Sequence, residues 1–237
     1  MVARCSSSQP KAAADSLGLA ACRSQRFIIL RAGRLEVISS KTLVLGSHNQ
    51  KKVVELRSLL EPLGYQLLSL DEVPGSIEVE ETGKTFIENA RLKASQQAIH
   101  LQQWTIGEDS GLCVPGLDGQ PGVYSARYSD PGATDQRNNE KLLVELNRRS
   151  PLKRQAYYVS TIALSNPDGQ IVLEAEGRCW GRILDQYRGQ GGFGYDPLFE
   201  IMEYHQTFAE LSSTVKNILS HRGRALRLFI QQLKRLS

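Results

Sequence analysis

The sequence lacks the cysteine density that a disulfide framework or a zinc ribbon requires. Its four cysteines, Cys5, Cys22, Cys113 and Cys179, stand far apart and form no CxxC pair. They read as reduced thiols in a reducing compartment. No apolar run approaches the ~20 residues that span a bilayer, and the longest candidates, such as Thr161 to Leu164, have the length of core strands. No membrane partner is expected. The pattern GxxxxGK[ST] is missing, which excludes a P-loop. Internal repeats and a low-complexity body are missing as well.

Surplus charge of one sign is also scarce. The formal net charge is +4, but residues 1–40 hold six Lys/Arg and only two Asp/Glu. Removing these from the 29 Lys/Arg and 25 Asp/Glu leaves 23 of each in residues 41–237. A nucleic-acid-binding surface needs a basic body or a long basic stripe, so no nucleic-acid partner is expected.

What is present suits a globular enzyme. With 237 residues, 41% hydrophobic and 23% charged, the chain has room for one sizeable domain or two small lobes around a cleft. Residues 1–40 are rich in Ser, Ala and Arg, with periodicity only over Arg26 to Ile38. They are expected to form a poorly ordered extension that takes no part in the chemistry. Their composition is that of a transit peptide, and equally that of residues translated from upstream of a true start. The expected location is the cytoplasm, or an organelle if the segment is a transit peptide.

From Lys41 the pattern alternates. Thr42 to Gly46 predicts a strand, and Ser47-His48-Asn49 a polar turn. A helix follows, with Leu56, Leu59, Leu60 and Leu63 on one face and Gly64 as its stop. A strand is predicted over Tyr65 to Leu70. Thr85 and Glu88 have capping-box spacing ahead of a helix through Ala90, Ala94, Ala98 and Leu101. Trp104 to Gly107 predicts a strand ending at Glu108-Asp109, and Asp135 to Asn147 a polar helix. Two β-rich runs, Ala156 to Ser165 and Gln170 to Cys179, are joined by the turn Asn166-Pro167-Asp168-Gly169. A last helix starts near His221 and buries Leu226, Phe229, Ile230 and Leu233.

Four pieces carry candidate chemistry. The loop Ser47-His48-Asn49-Gln50-Lys51-Lys52 joins a buried strand to a helix N-terminus, where unpaired N–H groups and the helix dipole favour an anion. Glu55 shares a helix face with Lys52. Glu78, Glu80 and Glu81 precede the second helix, and Asp109 follows an apolar strand beside Ser110 and Gly111. Such carboxylates suit a hard cation such as Mg²⁺, which takes one or two of them and fills its shell with water and phosphate. Glu78 reads as a solvated acid; Glu80, Glu81 and Asp109 read as metal candidates, with Glu80 and Glu81 interchangeable at this point. Gly189 to Pro197 holds four glycines in six residues, then Phe193 and Tyr195 to stack on a base and Asp196 to accept from its N–H groups. Lys216, His221 and Arg222 cluster near a helix start and offer donors to a phosphate or a purine carbonyl.

Taken together, residues 41–237 resemble the XTP/dITP diphosphatase family, also called inosine triphosphate pyrophosphatases. The likeness rests on Ser47-x-Asn49-x-x-Lys52-x-x-Glu55, Glu80-Glu81-Thr82-Gly83-x-Thr85-Phe86-x-Glu88-Asn89-Ala90, Asp109-Ser110-Gly111-Leu112, Pro121 to Tyr128, Gly192 to Pro197, and Ser220-His221-Arg222-Gly223. The resemblance implies an α/β fold with an elongated mixed β-sheet, flanking helices and two lobes around a central nucleotide cleft. It implies a homodimer that hydrolyses ITP, dITP and XTP to the monophosphate and pyrophosphate. By position, Ser47 to Lys52 would hold the phosphates, with Lys52 also catalytic. Asp109 would be the metal-linked catalytic carboxylate and Glu80 a metal ligand. Ser110, Phe193, Gly194, Tyr195, Asp196, Lys216, His221 and Arg222 would contact the nucleotide. Glu108 departs from the aspartate common in the family. The rival readings are a Maf-like pyrophosphatase of modified pyrimidine nucleotides and a catalytically silent nucleotide sensor; Ser220-His221-Arg222-Gly223 weighs against the first, and Glu80, Glu81, Glu88 and Asp109 against the second.

Overall fold

Leu43, Val44 and Leu45 are each almost wholly buried, and the strand they form, β3 (Thr42–Leu45), organises one half of the molecule. The protein is described here by a computed structural model, which covers residues 27–31, 34–38, 41–149 and 152–235. Within the first 40 residues, β1 (Phe27–Arg31) and β2 (Arg34–Ile38) pair antiparallel with each other. The rest of the expected extension lies outside the described residues.

After β3 the chain turns through Asn49 into α1 (Gln50–Leu60) and returns in β4 (Gln66–Ser69), parallel to β3. Leu56 and Leu60 are buried as the helical period requires, whereas Leu63 is 41% exposed. It lies beyond the α-helix, in a single 3₁₀ turn over Glu61–Leu63, where the 3.6-residue period no longer holds. α2 (Phe86–Leu101) begins at Thr85, whose hydroxyl accepts from Glu88 N while Glu88 accepts from Thr85 N, the predicted capping box. Its alanine face lies flat on β5 (Thr105–Cys113).

The remaining elements build the antiparallel half. α3 (Asp135–Arg149) is followed by the long hairpin of β6 (Gln155–Ser165) and β7 (Ile171–Ile183), then β8 (Phe199–Ile201) and β9 (Gln206–Thr207). α4 (Ser213–Leu219) and α5 (His221–Arg235) close the chain. The seven main strands form one mixed sheet in the order β4-β3-β5-β6-β7-β8-β9, parallel up to β5 and antiparallel beyond it. One core, around Leu43, Leu56, Ile106 and Phe229, packs between the sheet and helices α1 and α5. A second, around Leu112, Leu142, Phe199 and Phe208, fills the other lobe.

One expectation is corrected. Glu108 and Asp109 do not end their strand; β5 runs on to Cys113, paired residue by residue with β6. On its other edge, β5 pairs with β3 only through Thr105 and Ile106. Beyond Leu45 the sheet therefore opens, leaving a crevice outside the carboxyl end of β3, the usual place for a ligand in an open α/β sheet.

α2 approaches β5 closely because Gly107 has no side chain. A Cβ there would lie 2.0 Å from Ala90 O and 2.6 Å from Ala94 N. Gly107→Ala is expected to force the helix off the sheet and to cost about 1–3 kcal/mol or more, as overpacked cores do. A thermal melt checks this, and an unchanged Tm would mean that the helix can slide without loss.

Candidate active site

Successive residues of β5 point to opposite faces, and each face carries one carboxylate. Asp109 points towards α2. Its Oδ1 lies 3.1 Å from Lys93 Nζ, and its Oδ2 accepts from Asn89 Nδ2 at 3.2 Å. Lys93 also meets Glu81 Oε1 at 3.1 Å. Burial raises the Asp109 carboxyl above the ordinary range despite Lys93 and Lys52, and the neighbouring Glu81 and Glu108 raise it further. Burial also works against the Lys93 ammonium, but Asp109 and Glu81 overcome it and push its pKa up.

Glu108 points to the other face and is fully buried. Its Oε2 lies 2.9 Å from Lys52 Nζ, while its Oε1 accepts from Ser160 Oγ at 2.7 Å and from Arg222 Nε at 3.2 Å. Burial disfavours its charge, yet Lys52 and Arg222 hold the carboxyl well below the usual carboxylate range. Arg222 continues to Ser110 Oγ at 3.0 Å and to Glu55. Glu55 in turn meets Lys216 at 2.9 Å, and Lys216 meets Asp196 at 2.7 Å.

These groups surround a cavity of ≈330 Å³. Ser47, His48, Asn49 and Lys52 line it from the β3–α1 turn, and Asp109 and Ser110 from β5. Phe193, Gly194, Tyr195 and Asp196 line it from the glycine-rich loop, and Lys216, His221 and Arg222 from the C-terminal helices. The Asn49 side chain accepts from Lys51 N and Lys52 N, which fixes the helix start.

Three predicted residues stand elsewhere. Gln50 donates to Asp71 at 2.5 Å, and Lys51 is an exposed partner of Asp135 at 3.4 Å; neither lines the cavity. Glu80 is exposed and off the cavity wall, whereas Glu81 lies on it. Among the described residues, no three His, Cys, Asp or Glu side chains gather into a metal cage.

The base-side residues also differ in detail from the expectation. Tyr195 is 3% exposed and its hydroxyl donates to Ser125 O at 2.8 Å, so it supports the wall from the core. Only Phe193 offers a half-buried ring, with Lys216 Nζ 4.6 Å from its centroid. Asp196 Oδ2 is occupied by Lys216 and by Phe193 N at 2.8 Å. Gly192, at φ +73°, must be glycine here, because a Cβ would lie 2.1 Å from Asp196 Oδ2. His221 is buried and stacked on Tyr158, centroids 4.6 Å apart and planes 9° apart, and its Nδ1 has no hydrogen-bond partner among the described residues. Burial and the nearby Arg222 charge push its pKa well below the ordinary value, so the ring is neutral.

The Ham1 family pattern matches residues 43–232. The chain belongs to the Ham1 family. It is 53% identical over 194 residues to a dITP/XTP pyrophosphatase of Rhodopirellula baltica, covering 82% of this chain and 93% of that protein. A dITP/XTP pyrophosphatase of Synechocystis is 48% identical over 191 residues, covering 81% and 94%. Among solved structures, the Ham1 protein of Staphylococcus aureus superposes with a TM-score of 0.74 at 37% identity, over 83% of this chain and 100% of that one. That of Coxiella burnetii gives a TM-score of 0.76 at 36% identity, over 82% and 98%. The elongated mixed sheet with flanking helices is thus the fold of the Ham1 family, and the cavity between its lobes lies entirely within the matched residues.

Within this Ham1 chain, sequence reasoning missed Lys93, Tyr158 and the pairing role of Glu108. Lys93 did leave a trace. Asn89, Lys93 and Gln97 recur every fourth residue, are all buried, and run beside the alanine face of α2. A polar stripe hidden on the buried face of a helix is a functional signal.

Proposed function

We propose that this chain hydrolyses dITP, ITP and XTP to the nucleoside monophosphate and pyrophosphate. The observation that carries this reading is that three features open onto one cavity: a helix N-terminus with Lys52, the Asp109–Glu81 carboxylates, and the Phe193 ring with Lys216, His221 and Arg222. The family relatives named for dITP and XTP support the same substrate class.

The donor set suits Mg²⁺. Asp109 and Glu81 present hard carboxylate oxygens to the cavity, joined by a single lysine, and Mg²⁺ needs only one or two such ligands. We assign Glu81 rather than Glu80 to this task, with Asp109. Bound there, the ion supplies neutralisation of phosphate charge and a more acidic water. Lys52 and the polar side chains of the β3–α1 turn hold the phosphates. Asp109, with its raised carboxyl pKa, accepts a proton from the attacking water. The water oxygen bonds to the α-phosphorus as the bond to the bridging oxygen breaks, and pyrophosphate leaves in line.

Base choice follows from which donors are buried. Lys216, His221 and Arg222 offer donors to the 6-carbonyl of hypoxanthine or xanthine, whereas adenine would face them with an amino group. Each unpaired group costs roughly 1–3 kcal/mol. Pyrophosphate release from a panel of nucleoside triphosphates, with and without Mg²⁺, tests the reading. Turnover of dITP and XTP well above ATP, dependent on the metal, is expected; equal turnover of ATP, or none without a pyrimidine base, would overturn it. We also assign the protein a cytoplasmic place, or an organelle if residues 1–40 are a transit peptide, on its dispersed cysteines, and a homodimeric state, on the resemblance of its motifs to the family; sedimentation at micromolar concentration checks the latter.

The two lysines of the first turn provide a second test. Lys52 is 15% exposed and tied to the buried network, while Lys51 is 58% exposed. Lys52→Ala should lower kcat/KM on ITP about 100-fold, and Lys51→Ala by less than about 5-fold, as for an exposed screened pair. A larger loss in the Lys51 variant would show that the register of the phosphate loop is wrong.

A further inference from the structure

The cations of the cavity are not equally available to a ligand. Among the described residues, five basic side chains line it: Lys52, Lys93, Arg127, Lys216 and Arg222. Four are held by buried or half-buried carboxylates. Lys52 pairs with Glu108 at 2.9 Å, Lys93 with Asp109 and Glu81 at 3.1 Å, Lys216 with Asp196 at 2.7 Å, and Arg222 with Glu108 at 3.2 Å. Their side chains are 3–15% exposed. Arg127 differs on both counts. Its side chain is 40% exposed, and its nearest carboxylate oxygen, on Glu81, is 3.6 Å away.

The backbone beneath this loosely held guanidinium is firmly fixed. Asn138, itself buried, donates to Ala126 O at 3.0 Å and Ser125 O at 3.4 Å, and Tyr195 OH donates to Ser125 O at 2.8 Å. The Arg127 guanidinium lies over the exposed Tyr124 ring, 5.3 Å from its centroid. A pinned base beneath a loosely held fork presents an anion donor at low entropic cost.

We propose that Arg127 clamps the departing pyrophosphate half of the substrate. The proposal rests on the triphosphate reading given above. Availability supports it: Lys52, Lys93, Lys216 and Arg222 each have a carboxylate oxygen within 3.2 Å, whereas Arg127 stands 3.6 Å from a Glu81 that it shares with Lys93, so it turns to an entering triphosphate at the least cost. Its ion pair with Glu81 sets it beside the carboxylates of the cavity, and so with the phosphates rather than the base. A guanidinium can bind two phosphate oxygens at once, and the charge on the leaving pyrophosphate grows in the transition state.

The test compares inorganic pyrophosphate and IMP as ligands of the full chain in Mg²⁺, by calorimetry, for the wild type, Arg127→Lys and Arg127→Ala. In the alanine variant, pyrophosphate affinity should fall about 30-fold and kcat/KM on dITP about 100-fold. IMP affinity should stay within about twofold and Tm should be unchanged, since the charge lost is partly exposed. The lysine variant should recover part of the loss, because it restores the charge but not the fork. Three results overturn the proposal: unchanged pyrophosphate affinity, an equal loss for IMP, or no pyrophosphate binding by the wild type. If the wild type binds pyrophosphate but turns over no purine triphosphate, the functional reading fails while the comparison of variants still decides Arg127.

Discussion

Replacing Asp109 by asparagine should lower pyrophosphate release by more than about 10³-fold while leaving the protein folded. The amide has the shape of the carboxylate, and can still accept from Asn89, which donates to Oδ2 at 3.2 Å. It can neither take up the water proton nor offer an anionic oxygen to a cation. The change also removes one of the two carboxylates facing Lys93, but Glu81 remains 3.1 Å from that ammonium, so the lysine is not left unpaired in the interior. Far-UV dichroism and Tm close to wild type, together with the loss of turnover on dITP, are the expected results. Turnover within tenfold of wild type in the folded variant would remove Asp109 from the chemistry.

Asp109 also shows where sequence reading stops. The strand–turn–helix of residues 42–60 was legible because Leu43, Val44 and Leu45 are continuously apolar and Asn49 is a strong cap. The capping box at Thr85 and the hairpin turn at Asn166 to Gly169 were legible for the same kind of reason, since local chemistry alone determines them. β5 was legible only in its first half, over Trp104 to Gly107. Ser110 and Gly111 read as a turn after Glu108-Asp109, but pairing with β6 from Thr105↔Ser165 to Cys113↔Tyr157 carries the strand on through them. Tertiary pairing overrides local preference here. The short β8, β9 and α4 have too few residues to show a period. Which of Glu80 and Glu81 faces the cleft was likewise invisible, because the segment before α2 has no regular element and hence no alternation to count.

The site itself was readable as a set of residues, but its wiring was not. Asp109 has no basic neighbour in sequence, yet Lys93 reaches it from one turn beyond Asn89 on a helix that the motifs alone marked only by its start. Glu55, Glu108, Asp196, Lys52, Lys216 and Arg222 come from α1, β5, the glycine-rich loop, α4 and α5, and meet as alternating charges. Such a network depends on the crevice where β3 stops and β5 continues, a feature of sheet topology rather than of any local pattern.

The second large effect concerns that network. Glu108→Gln is expected to cost about 3 kcal/mol of stability, the lower end of the range for breaking a buried ion pair. Glu108 is fully buried between Lys52 on one oxygen and Ser160 and Arg222 on the other. The amide leaves the Lys52 ammonium without its carboxylate. Arg222 fares better, because Glu55 still holds it, and this partial compensation favours the lower end. The effect has a pH signature. Burial alone would raise the carboxyl, but Lys52 and Arg222 outweigh it and hold the folded pKa well below the unfolded value of about 4.3. In the acid window between the two, the unfolded chain binds more protons, so the contribution is complete above about pH 5 and is lost as pH falls through the folded value. Urea midpoints of the wild type and Glu108→Gln should therefore differ widely at pH 7, and the gap should narrow as pH falls below about 4.3 towards pH 3. Glu108→Asp, which keeps the charge on a shorter stem, should fall between them at pH 7. A gap between wild type and Glu108→Gln that is the same at both pH values would mean that the lost stability is steric, and that the carboxylate charge does not hold Lys52 and Arg222 in place.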